Sequence, residues 1–140
     1  MGARILVVDD EKEFALALSE RLALRGYQVN SCFSGGDAVE AVRGEEYDVV
    51  ILDVAMPGMD GIETMREIKK WQPLLEVILL SGRATVETAI EGLRRGAFDY
   101  MKKPCETDEL LMKINDAHAR KAGHEEKIRQ ARVREGLPSS

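Results

Sequence analysis

Three apolar runs constrain this chain more than any other feature: Ile5-Leu6-Val7-Val8, Val49-Val50-Ile51-Leu52 and Val77-Ile78-Leu79-Leu80. None alternates with polar residues. A strand with one face in water alternates, whereas an uninterrupted run suits a strand covered on both faces, as in a parallel sheet between helices. Two further segments, residues 29–33 (VNSCF) and 98–101 (FDYM), mix polar and apolar residues and suit edge strands. Helical patterns lie between the strands. Phe14, Leu18 and Leu22 recur every four residues and are followed by Gly26, a common helix end. Ala38, Val39 and Val42 follow Ser34-Gly35-Gly36-Asp37, a capping pattern. Ile62, Met65 and Ile68 follow Asp60-Gly61-Ile62-Glu63, and Val86, Ala89, Ile90 and Leu93 are closed by Gly96. Leu110, Leu111, Ile114 and Ala117 form a fifth pattern.

Five strands alternating with five helices, without an internal repeat, predict an α/β fold with right-handed crossovers. The fully apolar first, third and fourth strands belong in the centre and the second and fifth at the edges. That gives the order 2-1-3-4-5, a flavodoxin-like doubly wound (βα)5 sandwich around a parallel five-stranded sheet. With 140 residues, one domain is expected. The pattern fades near residue 119, so residues 1–119 are read as the domain and residues 120–140 as a basic extension, helical or disordered. Residues 119–140 hold six Lys/Arg against three Glu, and the rest holds 14 basic against 22 acidic residues. So acidic a body does not suit nucleic-acid contact. No apolar run nears the roughly 18 residues of a membrane span. The opening MGARILVVDD has no signal-peptide pattern, and Leu6 stands where myristoylation wants Ser or Thr. Two cysteines, Cys32 and Cys105, make no disulfide framework, which suits a reducing cytoplasm.

Ligands of a doubly wound sheet bind at the carboxyl ends of the strands, near the switch in strand order. The first strand ends in Asp9-Asp10 and the third in Asp53. Three converging carboxylates repel one another, and a hard divalent cation such as Mg²⁺ relieves that repulsion. Ser81 ends the fourth strand and Lys102-Lys103-Pro104 the fifth, adding a hydroxyl and a cation suited to a phosphoryl group. A carboxylate can be a nucleophile and form an aspartyl phosphate. Phosphoryl transfer asks mainly for positioning and charge neutralisation.

With these residues in place, the sequence resembles the receiver domains of two-component response regulators. The resemblance rests on residues 5–10 (ILVVDD), 50–61 (VILDVAMPGMDG), Leu80-Ser81 and Lys103-Pro104, and covers about residues 3–119. It implies that Asp53 is the phosphoacceptor and that Asp10, Asp53 and the backbone carbonyl of Ala55 ligate Mg²⁺, with Asp9 acting through a water. It implies that Ser81 turns toward the phosphoryl group, that Lys103 pairs with it across a cis Lys103-Pro104 bond, and that Lys102 points away. Tyr100 matches the switch aromatic that follows Ser81 inward, altering the surface of the fourth helix, fifth strand and fifth helix. The implied partners are a sensor histidine kinase or phosphotransfer protein, and a downstream protein or effector domain. A homodimer through the switch surface is a further expectation. Such a domain catalyses only its own phosphorylation and dephosphorylation. Ala55 and Arg83 match positions that tune the lifetime of the aspartyl phosphate. Cys105 stands where the family often has a larger apolar residue.

Plainer readings stand beside these. Asp10-x-x-Glu13 is also a capping pattern. Asp60 is fully explained as a helix cap and is excluded from the site, and Met56-Pro57-Gly58 reads as a turn. Trp71 reads as packing, and His118 and His124 as solvated. A flavin carrier on this fold would want a Ser/Thr/Gly-rich loop after the first strand, where this chain has Asp9-Asp10-Glu11. A phosphohydrolase would want a general acid beside the nucleophile and a cap, where this chain has Val54 and no insertion. Within the receiver reading, the chain is either stand-alone or the receiver part of a DNA-binding regulator.

Overall fold

The computed structural model describes residues 2–56, 60–82 and 85–137. Strands and helices alternate as β1 (Arg4–Val8), α1 (Lys12–Ala23), β2 (Gln28–Cys32), α2 (Gly35–Gly44), β3 (Val49–Leu52), α3 (Gly61–Trp71), β4 (Glu76–Ser81), α4 (Val86–Arg94), β5 (Asp99–Lys102) and α5 (Thr107–Arg134). All ladders are parallel, and the sheet order is β2-β1-β3-β4-β5. This is the flavodoxin-like order expected from the apolar runs.

The runs are uninterrupted because each strand feeds two cores. Leu6, Val8, Val50, Leu52, Val77 and Leu79 pack with Ala38 and Val42 of α2 and with Met65 and Ile68 of α3. Ile5, Val7, Val49, Ile51, Ile78 and Leu80 pack on the other face with Ala15, Leu18 and Leu22 of α1 and with Leu110, Ile114 and Ala117 of α5. Successive side chains on a strand point to opposite faces, so every residue of β3 and β4, and every residue of β1 after Arg4, is buried. Gly26 and Gly96 take positive φ (93° and 108°) just past α1 and α4.

Two local expectations change. The apolar stripe of α4 is uncovered: Val86, Ile90 and Leu93 are 72%, 45% and 46% exposed. The helix instead sets Gly92 against the sheet, where an added Cβ would meet the Leu79 side chain. Thr85 and Thr88 close its N-terminus as a reciprocal capping box. Trp71 is not core packing: it is 52% exposed, with the Arg43 guanidinium 4.7 Å from its ring centroid. The segment after residue 119 continues α5 as one helix to Arg134.

That continuation is tied to the amino end of the sheet. Lys121 is 4% exposed and donates to Asp48 Oδ1 (2.9 Å), Glu46 Oε1 (3.2 Å) and the Tyr47 carbonyl (3.2 Å). Arg120 Nε lies 2.9 Å from Oε2 of the buried Glu76, whose other oxygen accepts from Lys69. His118 Nε2 is 3.7 Å from Asp48 Oδ2, so this histidine faces a carboxylate as well as solvent. No helix among the described residues is long and apolar enough to cross a membrane.

Candidate functional site

β1 and β3 are neighbours where the strand order reverses, and their ladder pairs Val8 with Leu52. The residues that follow, Asp9 and Asp53, therefore share one rim. The Asp9 amide donates to the Cys32 carbonyl (3.2 Å) and the Asp53 amide to the Val8 carbonyl (3.0 Å), fixing both backbones. Carboxylate oxygens of Asp9, Asp10 and Asp53 lie within 4.8 Å of one another. Asp9 and Asp53 are buried and Asp10 is exposed. Asp9 Oδ1 accepts from the Glu11 amide (2.9 Å) and Asp53 Oδ1 from the Ala55 amide (3.0 Å), which sets the orientation of both carboxylates.

β5 brings the cation. Lys102 pairs with Ser81 across the β4–β5 ladder and is exposed, as expected. The next amide, of Lys103, donates to the Ser81 carbonyl (3.1 Å), and the Lys103-Pro104 bond is cis. Lys103 Nζ then reaches Asp9 Oδ2 (2.5 Å), Glu11 Oε1 (3.3 Å) and Asp53 Oδ2 (3.6 Å). Its ammonium also lies 4.1 Å from the centroid of the Phe14 ring. Ser81 is buried and borders, with Asp10, Asp53 and Ala55, an open cleft of about 730 Å³.

Among the described residues, the carboxylates of Asp9, Glu11 and Asp53 lie within 4 Å of the Lys103 ammonium, and that of Asp10 stands beside those of Asp9 and Asp53. Burial pushes the Asp9 carboxyl above the usual carboxylate range, and the charge of Asp53 adds to that; Lys103 and the Glu11 amide only partly offset it. Burial alone would lower the pKa of Lys103, but Asp9, Asp53 and Glu11 together hold it above its ordinary value. The surplus of negative charge, presented by oxygen donors alone, fits a hard divalent cation of the Mg²⁺ kind.

Asp10 does not cap α1. The cap residue is Glu11, in extended conformation and without a side-chain capping bond, which leaves the Asp10 carboxylate at the rim. Asp60 does cap α3, accepting from the Glu63 amide at 2.9 Å. Asp60→Ala is therefore expected to cost about 1 kcal/mol in urea unfolding while leaving divalent-cation affinity unchanged; a large loss of affinity would place Asp60 in the site after all. Tyr100 is half-buried against the core on the α3 side, its hydroxyl 3.2 Å from Thr88 Oγ1 of α4. Cys105 is partly buried against the other core, so the smaller side chain is accommodated. Arg83, Pro57 and Gly58 lie outside the described residues.

Sequence reasoning missed three supports of this rim. Glu11 and Phe14 reach Lys103 from a turn that showed only a helical apolar spacing. Gly61 was read merely as a helix opening, yet a Cβ there would lie 2.5 Å from the Asp53 carbonyl oxygen and 2.5 Å from Val54 Cα. Its amide donates to the Val54 carbonyl at 2.9 Å.

Residues 5–115 match the family model of the response regulator receiver domain. The chain belongs to that family. The receiver domain is 41% identical over 123 residues to the transcriptional regulatory protein ZraR of Salmonella typhimurium, covering 86% of this chain and 28% of ZraR. It is 40% identical to the transcriptional regulatory protein TcrA of Mycobacterium tuberculosis, covering 81% of this chain and 45% of TcrA. The chain thus spans less than half the length of these curated relatives. Among solved structures, NtrX from Brucella abortus in complex with ADP superposes with a TM-score of 0.87 at 32% identity, covering 93% of this chain and 30% of NtrX. The receiver domain of the Francisella response regulator 1452 superposes with a TM-score of 0.78 at 33% identity, covering 85% of this chain and 98% of that one.

Proposed function

We propose that this receiver domain accepts a phosphoryl group on Asp53 from a sensor histidine kinase or a phosphotransfer protein. The observation that carries the reading is the placement of the Asp53 carboxylate, 3.6 Å from Lys103 Nζ and beside those of Asp9 and Asp10. An Asp53 oxygen attacks phosphorus, and the new O–P bond forms as the P–N bond of a phosphohistidine breaks. The electron pair of that bond leaves with the imidazole, which takes a proton from solvent. Lys103 meets the phosphoryl oxygens as a cation, and the Ser81 hydroxyl donates to them. Asp10, Asp53 and the Ala55 carbonyl would hold Mg²⁺, with Asp9 acting through a water. When bound, the ion neutralises negative charge on the transferring group.

Catalysis in this reading extends only to the domain's own phosphorylation and dephosphorylation. Phosphorylation draws Ser81 inward, and Tyr100 gives up Thr88 to follow it, changing the face formed by α4, β5 and α5. The uncovered Val86, Ile90 and Leu93 on that face favour its use by a downstream protein, an effector domain or a second copy. Residues 1–119 act as the switch, and residues 120–140 as the extension leading from it. The relatives named as transcriptional regulators support a place in such a regulator, and the acidic body and paucity of cysteines favour a chain that works in the cytoplasm without nucleic-acid contact of its own. Incubation with phosphoramidate and Mg²⁺ is expected to give one phosphate adduct by intact mass, absent in Asp53→Asn and absent with chelator. An adduct that survives Asp53→Asn on a folded protein removes Asp53 from the role.

A further inference from the structure

The reading above needs the Lys103 ammonium to be at the rim before a phosphoryl group arrives. Lysine is poorly suited to waiting there, because its charge sits on a flexible four-carbon stem with considerable rotamer entropy. The contacts that hold it are of two kinds. Asp9 and Glu11 hold it by charge, and must yield their hold when an anion takes the ammonium. Phe14 holds it differently: the ammonium lies 4.1 Å from the centroid of its ring, well inside the roughly 6 Å reach of a cation–π contact. The ring is itself held, being partly buried against the core that α1 and α5 form over the sheet. The Lys103 side chain is only 11% exposed.

We propose that Phe14 is a positioning residue for Lys103, its ring face keeping the ammonium at the rim while leaving its charge available to the phosphoryl group. The inference rests on the proposed role of Lys103. A ring face carries no net charge, so it stabilises the cation's position without competing for it as a carboxylate does. Its action on the incoming group runs through Lys103. Holding the group in place beforehand removes part of the ordering that would otherwise accompany transfer. The cap residue of the same helix, α1, is Glu11, whose amide also fixes Asp9. The start of α1 therefore arranges both an acid and the cation of the rim.

The test compares Phe14→Leu with Phe14→Tyr, with Phe14→Met as a second apolar variant should Leu not fold. In the wild type, the Lys103 ε-methylene protons are expected upfield of other lysines in the NMR spectrum, shifted by the ring current. That shift disappears in Phe14→Leu and persists in Phe14→Tyr. The rate of adduct formation from phosphoramidate at saturating Mg²⁺ falls about 3- to 10-fold in Phe14→Leu and stays near wild type in Phe14→Tyr. Mg²⁺ affinity by calorimetry stays near wild type in both. A wild-type rate in Phe14→Leu overturns the inference. So does an equal fall in both variants, or a fall that follows lost Mg²⁺ affinity, since either marks a merely structural role. If the wild type forms no adduct on Asp53, the phosphoacceptor reading fails; an unshifted wild-type Lys103 resonance sinks the positioning role instead.

Discussion

Gly61→Ala is expected to lower stability by about 3 kcal/mol, at the upper end of what forcing an extra methyl into a packed site costs. An added Cβ would stand 2.5 Å from both the Asp53 carbonyl oxygen and Val54 Cα. Both neighbours are backbone, so no side-chain rotation relieves the overlap. Either the start of α3 lifts away or the segment carrying Asp53 moves, and both lengthen the 2.9 Å bond from the Gly61 amide to Val54. The variant is therefore expected to lose divalent-cation affinity together with stability, although residue 61 presents no side chain to the rim. Gly36→Ala serves as the control. Nothing lies within 4 Å of a Cβ there. Ala is favoured over Gly in a helix, so that change should hold or raise stability. Urea unfolding and cation titration on both variants decide it. A Gly61→Ala protein as stable as wild type would mean that the loop yields without consequence.

Lys121→Met is expected to cost about 2–3 kcal/mol, measured as a fall in melting temperature of roughly 5–10 °C. Removing one partner of a buried ion pair strands the other. Here the loss stays below the full range because Asp48 keeps the Arg4 amide at 2.8 Å and some access to water. The pH dependence carries a sign. Burial alone would lower the pKa of Lys121, but Asp48, Glu46 and Glu125 hold it above its ordinary value. Its contribution is therefore complete below the unfolded lysine pKa of about 10.4 and is lost as pH rises through the higher folded value. Asp48 behaves oppositely. Burial would raise its pKa, yet the Arg4 amide and Lys121 hold it below the ordinary value of 3.8. Its contribution is complete above the unfolded aspartate pKa of about 3.9 and is lost as pH falls through the lower folded value. Wild-type stability should thus plateau between these limits. Lys121→Met should weaken the alkaline decline, to which Lys103 also contributes, and flatten the acidic one. An unchanged alkaline limb in the variant would show that other groups govern it.

These two positions also mark where the sequence stopped being legible. The sheet order followed from which runs were uninterrupted, since burial on both faces writes itself into consecutive residues. Asp9, Asp10, Asp53, Ser81 and Lys103 were legible because strand ends in this topology converge on one rim. The grip on α5 was not, because Lys121 meets Asp48 across 73 residues and a buried lysine reads in sequence as a solvated one. Gly61 carries no side chain by which a close backbone approach could announce itself. The α4 stripe misled because its spacing is that of a covered helix, whereas Gly92 makes the contact with β4. Trp71 was read from its residue type, and its stack on Arg43 is a surface arrangement.

The 28 residues of α5 make a rod of about 42 Å. It starts at Thr107, shortly after Lys103, and is gripped at Lys121 at the opposite end of the sheet. That grip acts as a fulcrum. The arm from Lys121 to Arg134 is about 20 Å long, so a tilt of about 10° at the pivot swings its tip by about 3.5 Å. A rearrangement at the rim that tilted α5 about this grip would be carried to the far end of the helix as a displacement the size of a side chain.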